Sequence, residues 1–245
     1  MAEKNLLVLE KKGSFWDSFL QEFFEDTRAT LHWFEDSLKA GSLFNRLTPD
    51  IVFSNPKLLS LPFAQKMNVL RHSRPDFRVF RLGTEETAAP SFVFDDQFEP
   101  VSSFEHFQRK LLEHLPLPEK IRVLVVDNEV EIGTMVRDFL ERRVNPSFEV
   151  DYAPNGEEGI RAIENKKPDV LVLDIKMPIK DGREVYREIT SKGLKIPTII
   201  FFDAISGDEM VEIHKVGKPA VIEKGSRQSA MPELMALIKK MAYFG

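Results

Sequence analysis

Short apolar runs separated by polar, Gly- or Pro-bearing punctuation recur along the whole chain. In the second half they fall at residues 121–126, 148–152, 170–173, 198–202 and 220–223. Most are apolar almost without interruption, which predicts strands buried on both faces, as in a parallel sheet. Between them the spacing changes to that of helices. Ile132, Met135, Val136, Phe139 and Leu140 share one face of a helix near 129–143. Asn155 can cap a helix that carries Ile160 and Ile163, and a helix after Asp181-Gly182 turns Val185 and Ile189 inward. Another helix is predicted near 208–216. The last one has Pro232 in its first turn and Leu234, Leu237, Ile238 and Met241 as its stripe. Five strands alternating with five helices make βαβ units and a parallel sheet.

The first half repeats the plan in a worn form. Residues 6–9 end at Glu10 much as residues 121–126 end at Asp127. Pro49-Asp50-Ile51-Val52-Phe53-Ser54-Asn55 parallels Pro168-Asp169-Val170-Leu171-Val172-Leu173-Asp174. The separations nearly agree: 45 residues from Glu10 to Asn55, 47 from Asp127 to Asp174. A helix over 14–25 carries Phe15, Trp16, Phe19, Leu20, Phe23 and Phe24, a stripe wider than one sheet face needs. A helix over 102–115 opens on a Ser102-x-x-Glu105 capping box, with Phe104, Phe107, Leu111 and Leu115 at helical spacing. Only about nine residues separate a strand at 77–82 from one at 92–95, too few for a helical crossover. A missing fourth helix would leave apolar surface open, so this half is expected to dimerise or to dock a partner.

The boundary lies at Pro116 and Pro118, whose fixed φ favours a stiff, extended connector. Composition shifts there too: 15 of the 20 Phe precede residue 116, as do Trp16 and Trp33. Apolar residues at 42% and charged residues at 30% describe ordinary globular domains, and 245 residues suffice for two. A net charge of -5 with no basic run argues against nucleic acid as a partner. Without cysteine there is no disulfide, thiolate metal site or thiol nucleophile. Scattered His32, His72, His106, His114 and His214 offer no metal-ligand spacing. No apolar stretch reaches 18 residues, so membrane insertion is not expected and a cytoplasmic location is.

Chemistry gathers where the second-half strands end. In a parallel sheet every strand C-terminus faces one rim, so Asp127, Asn128, Asp174 and Lys224 are predicted to converge there. Two carboxylates and an ammonium suit a divalent cation together with a phosphoryl group. A second Asp two residues past Asp174, as a dehalogenase-like phosphatase would need, is absent; Lys176 stands there.

With the acidic cluster Asp127-Asn128-Glu129, the run Asp174-Ile175-Lys176-Met177-Pro178, the pair Asp181-Gly182 and Lys224 in this order, residues 121–243 resemble the receiver domain of bacterial two-component response regulators. The resemblance implies that Asp174 accepts a phosphoryl group from a phosphohistidine on a sensor kinase or phosphotransfer protein. It implies that Asp127, Asn128, Asp174 and the Lys176 backbone carbonyl hold Mg2+, and that Lys224 contacts the phosphoryl oxygens. Three departures stand out. Asn128 occupies a place usually held by a second carboxylate, which should weaken Mg2+ binding. The hydroxyl residue expected after strand four is replaced by Phe202 or Asp203, depending on the alignment. The aromatic switch residue is replaced by Val221.

In the first half Asn55 stands in the phosphoacceptor's place, Glu10 is followed by Lys11 and Lys12, and no Lys follows the last strand. The expectation is therefore an α/β protein of two flavodoxin-like (βα)5 receiver-type domains, 1–116 and 117–245, the first degenerate and lacking its fourth helix. It is expected to act as a response regulator without a DNA-binding output and not as an enzyme, signalling to a downstream protein. The alternative is a phosphorylation-independent adaptor with a vestigial site.

Overall fold

The computed structural model describes residues 3–84, 92–100, 103–225 and 227–245. The chain forms two compact units, Met1–Pro116 and Leu117–Tyr243, each considered by itself. The first runs β1 (Asn5–Leu9), α1 (Phe15–Phe24), β2 (Thr30–Phe34), α2 (Ser37–Leu47), β3 (Ile51–Ser54), α3 (Leu61–Ser73), β4 (Arg78–Leu82), β5 (Asp96–Phe98) and α4 (Phe104–His114). The second runs β6 (Lys120–Val126), α5 (Val130–Leu140), β7 (Ser147–Ala153), α6 (Gly156–Lys166), β8 (Val170–Leu173), α7 (Gly182–Ser191), β9 (Thr198–Phe202), α8 (Gly207–Val216), β10 (Ala220–Glu223) and α9 (Arg227–Phe244).

Both sheets are five-stranded and parallel, in the orders β2-β1-β3-β4-β5 and β7-β6-β8-β9-β10. This is the doubly wound, flavodoxin-like order, reversing at the first strand of each sheet. The continuous apolar runs explain it, because helices cover both faces of a parallel sheet. In the second unit one face packs Val123, Val125, Val172, Ile199 and Phe201 with Ile132, Val136, Leu234, Ile238 and Met241. The other packs Leu124, Val126, Leu171, Leu173 and Ile200 with Ile160, Ile163, Val185 and Ile189. Burying one such aliphatic side chain contributes about 1.5–3 kcal/mol. The two layers thus hold the rim residues on a rigid base.

Three expectations are corrected. The fifth strand of the first unit lies at Asp96–Phe98, not at 92–95. Phe92 is drawn into the core instead, and Asp95 meets β4 by backbone and side chain: its amide donates to Val79 O at 2.8 Å, and its carboxylate accepts from the Val79 amide at 2.6 Å and pairs with Arg71 at 2.7 Å. No helix occurs between β4 and β5 among the described residues; 85–91 lie outside them. The cap of α4 is Ser103, whose hydroxyl accepts from the His106 amide; Ser102 lies outside the described residues. Pro232 sits inside α9 rather than in its first turn, because the helix begins five residues before it.

The aromatic stripe of α1 is not surplus. Trp16, Phe19, Leu20, Phe23 and Phe24 are all buried, and only Phe15 is exposed. Phe107 of α4 explains the width, lying 5.1 Å from the Phe19 ring and 4.7 Å from that of Phe23. The helix thus faces both the sheet and α4.

Candidate functional site

Four polar side chains occupy the position immediately after the last residue of their strands: Asp127 after β6, Asp174 after β8, Asp203 after β9 and Lys224 after β10. Parallel pairing brings them to one rim, with Val126 opposite Leu173 and Glu223 opposite Phe202. Lys224 is the centre. Its Nζ lies 2.9 Å from Asp127 Oδ2, 3.0 Å from Asp174 Oδ1, 3.6 Å from Asp203 Oδ2 and 4.0 Å from Glu129 Oε1. Lys224 and Asp127 are each about 1% exposed.

The electrostatics follow from that burial. Desolvation works against the Lys224 ammonium, but its close contacts with the Asp127 and Asp174 carboxylates outweigh it and hold its pKa above the usual lysine value. Desolvation pushes the Asp127 carboxyl up, which Lys224 and the Glu129 amide only partly offset. Asp127 Oδ1 accepts from the Glu129 backbone N–H at 2.9 Å. Its Oδ2 is buried and, beyond the Lys224 ion pair, has no bond of hydrogen-bonding geometry.

A cavity of about 180 Å³ opens over this rim, lined by Asn128, Glu129, Asp174, Ile175, Lys176, Phe202, Asp203, Ala204 and Lys224. Asn128 and Lys176 are exposed at its mouth. Gly182, at the start of α7, explains the Asp181-Gly182 pair: its amide donates to Ile175 O at 3.0 Å, and a Cβ there would meet Asp174 O at 2.0 Å. Asp181 and Glu184 complete a capping box that fixes this turn. A glycine at a helix start signals close backbone approach, but nothing in the pattern names the atom it meets.

Of the two alignments after strand four, the geometry selects Asp203 as the rim residue. Phe202 closes β9 and is half-buried against the core. Val221 is not brought to the site. It alternates outward on β10 with Glu223 and is 42% exposed.

Donor chemistry at the rim fits a hard cation. Asp127 and Asp174 supply carboxylate oxygens, Asn128 an amide oxygen and Lys176 a backbone carbonyl, and Mg2+ is commonly held through one or two carboxylates. The exposed mouth leaves room for water, and Asp127 Oδ2, which is buried and held by the Lys224 ion pair without a hydrogen bond, is an atom such an ion would satisfy. Among the described residues no three Asp, Glu, His or Cys side chains are arranged for a metal by themselves, so the amide and carbonyl oxygens are needed.

The corresponding rim of the first unit is closed on itself. Asn55 Nδ2 donates to both oxygens of Glu10, at 3.1 and 3.3 Å, and Glu10 is buried. The Asn55 Oδ1 atom caps the following turn through the Lys57 amide. A neutral amide thus partners the Glu10 carboxylate.

Residues 123–237 match the response regulator receiver domain family. Similar curated proteins include the transcriptional regulatory protein RprY of Bacteroides fragilis, 27% identical over 45% of this chain and 45% of its own. The alkaline phosphatase synthesis transcriptional regulatory protein PhoP of Bacillus subtilis is 34% identical over 40% and 42%. The chain thus spans less than half the length of these relatives. Among solved structures, the response regulator domain of Thermotoga maritima CheB is 26% identical, covering 50% of this chain and 96% of its own with a TM-score of 0.45. Among the described residues no helix is long and apolar enough to cross a membrane.

Proposed function

We propose that this chain, whose residues 123–237 are a response regulator receiver domain, is a phosphoacceptor signalling protein in which Asp174 takes a phosphoryl group from a histidine kinase or phosphotransfer protein. The observation that carries this is the 3.0 Å contact between Asp174 Oδ1 and Lys224 Nζ in a cavity with exposed Asn128 and Lys176 at its mouth. A carboxylate oxygen attacks the phosphorus, the new O–P bond forms as the donor's N–P bond breaks, and the imidazole leaves with the electron pair. Such transfer needs positioning and neutralisation of charge more than further covalent help. Bound Mg2+ would supply that neutralisation as a Lewis acid on phosphoryl oxygens. Asp127, Asn128 and the Lys176 carbonyl would hold the ion, the β8 end orients Asp174, and Lys224 presents a fixed ammonium.

On this reading the protein takes part in its own phosphoryl transfer and is not an enzyme with turnover. The unit that accompanies the receiver is a second parallel α/β sheet, which supports output through protein contacts, whether a downstream target or a second copy, without DNA binding. A cytoplasmic location suits a kinase partner. Exposed Val221 and the carboxylate at Asp203 favour one rival, an adaptor that works without phosphorylation.

Acetyl phosphate with Mg2+ separates the two. Intact mass should rise by one phosphate in the wild type and not in Asp174→Asn. No gain in the wild type, and no change of oligomeric state with beryllium fluoride, would establish the adaptor.

A further inference from the structure

Asp203 is the rim residue that phosphoryl transfer at Asp174 does not call for. It follows β9 in the same register as the other strand-end groups, lies 3.6 Å from Lys224 Nζ, and lines the cavity that contains Asp174. Its side chain is 57% exposed, so it can swing at the mouth while the buried Asp127 cannot. Four carboxylates (Asp127, Glu129, Asp174 and Asp203) stand within 4.0 Å of one ammonium. Asp127, Asp174 and Asp203 each follow a strand end, and Glu129 lies in the β6–α5 turn.

We propose that Asp203 is a built-in brake on phosphorylation: its carboxylate competes for the Lys224 ammonium and repels the phosphoryl group, keeping the modified state scarce and short-lived. This rests on the reading of Asp174 as phosphoacceptor. When Asp174 attacks an acyl phosphate, its O–P bond forms as the donor's O–P bond breaks and the carboxylate leaves with the electron pair. A singly charged carboxylate at Asp174 becomes an acyl phosphate carrying nearly two negative charges. The ammonium must then turn from Asp127 and Asp203 to the new oxygens. A like charge a few ångströms away opposes both the arrival of the group and its retention. A hydroxyl in that place would donate to the phosphoryl oxygens; a carboxylate can only accept.

The test uses the full chain with acetyl phosphate and Mg2+ at low ionic strength, followed by removal of the donor. Intact mass reports uptake and decay in wild type, Asp174→Asn, Asp203→Asn and Asp203→Thr. Roughly ten-fold greater occupancy or lifetime is expected for Asp203→Asn, with Asp203→Thr at least equal to it. The gap should narrow at about 0.5 M salt, because an exposed carboxylate is screened. Uptake on Asp174 in the wild type with unchanged rates in both Asp203 variants overturns the brake and leaves the phosphoacceptor reading intact. No uptake in the wild type or in either Asp203 variant overturns both.

Discussion

Lys224 Nζ and Asp127 Oδ2 stand 2.9 Å apart with both side chains almost wholly buried, at a strand-end rim that also holds Asp174. They follow β10 and β6, which the sheet order separates by β9 and β8. Such a pair contributes little compared with an apolar substitute, yet losing one partner leaves a buried charge unpaired. The consequences can be measured.

Lys224→Met should destabilise the second unit by roughly 3 kcal/mol at pH 7. The Lys224 pKa is raised by folding, so its contribution is complete below pH 10.5 and disappears as pH rises through the folded value. Without the ammonium, the Asp127 carboxyl, already pushed up by burial, rises further. The penalty should therefore shrink as pH falls and the carboxyl protonates. Amide exchange of β8 against pH reports it. Both Trp lie in the first half, so their fluorescence would miss it. A penalty that stays constant from pH 4 to 9 contradicts this account.

Gly182→Ala tests the loop rather than the charges. Its Cβ would meet Asp174 O at 2.0 Å, a backbone atom that cannot step aside without moving the phosphoacceptor. A cost of about 1–3 kcal/mol is expected, the usual range for overpacking. Acetyl phosphate uptake should fall with it. Gly207→Ala, whose Cβ meets nothing within 4 Å, shares the loss of glycine without the collision and should leave uptake unchanged. Equal uptake in all three proteins would show that the close approach has no part in orienting Asp174.

How far the sequence disclosed this arrangement depended on the kind of signal. Continuous apolar runs located β8, β9 and β10, and through them the rim, because strand ends in a parallel sheet are a consequence of direction alone. Asp127, Asp174 and Lys224 could be named for that reason. Asp203 could not be separated from Phe202, since one residue's slip in register is invisible where both flanks are apolar. The first unit was harder. The run Phe92-Val93-Phe94 has strand composition, yet Phe92 serves the core and the Asp95 side chain takes the Val79 amide, so residue-for-residue pairing begins only at Asp96. Propensity reports fitness for a strand, and it cannot report which hydrogen bonds are already taken.

Magnesium should be bound, but more weakly than at a site with three carboxylates. A ligand of the folded state stabilises it by about 1.4 kcal/mol at ten times its Kd. Thermal melts with increasing MgCl2 should shift upward in the wild type and not in Asp127→Asn. Asn128→Asp adds a carboxylate at the exposed mouth and should tighten binding. Isothermal titration that finds equal affinity in wild type and Asn128→Asp contradicts the role given to that amide.

Asn55→Asp asks whether the first unit can be returned to chemistry by one substitution. Asn55 Nδ2 donates to both oxygens of the buried Glu10 carboxylate. Replacing the amide removes these donors and sets two carboxylates against each other with no lysine at the end of β5, where Glu99 follows instead. Unpaired buried polar groups cost about 1–3 kcal/mol, so the variant should be destabilised by that order at pH 7. One of the two carboxyls should take up a proton above its ordinary pKa, as close like charges require. Its stability should then approach that of the wild type as pH falls towards 4. No phosphate should be gained in the Asp174→Asn background, because no lysine follows β5 as Lys224 follows β10. A mass increase of one phosphate in Asn55→Asp/Asp174→Asn would instead mean that the first unit keeps a working site, and that Asn55 alone had silenced it.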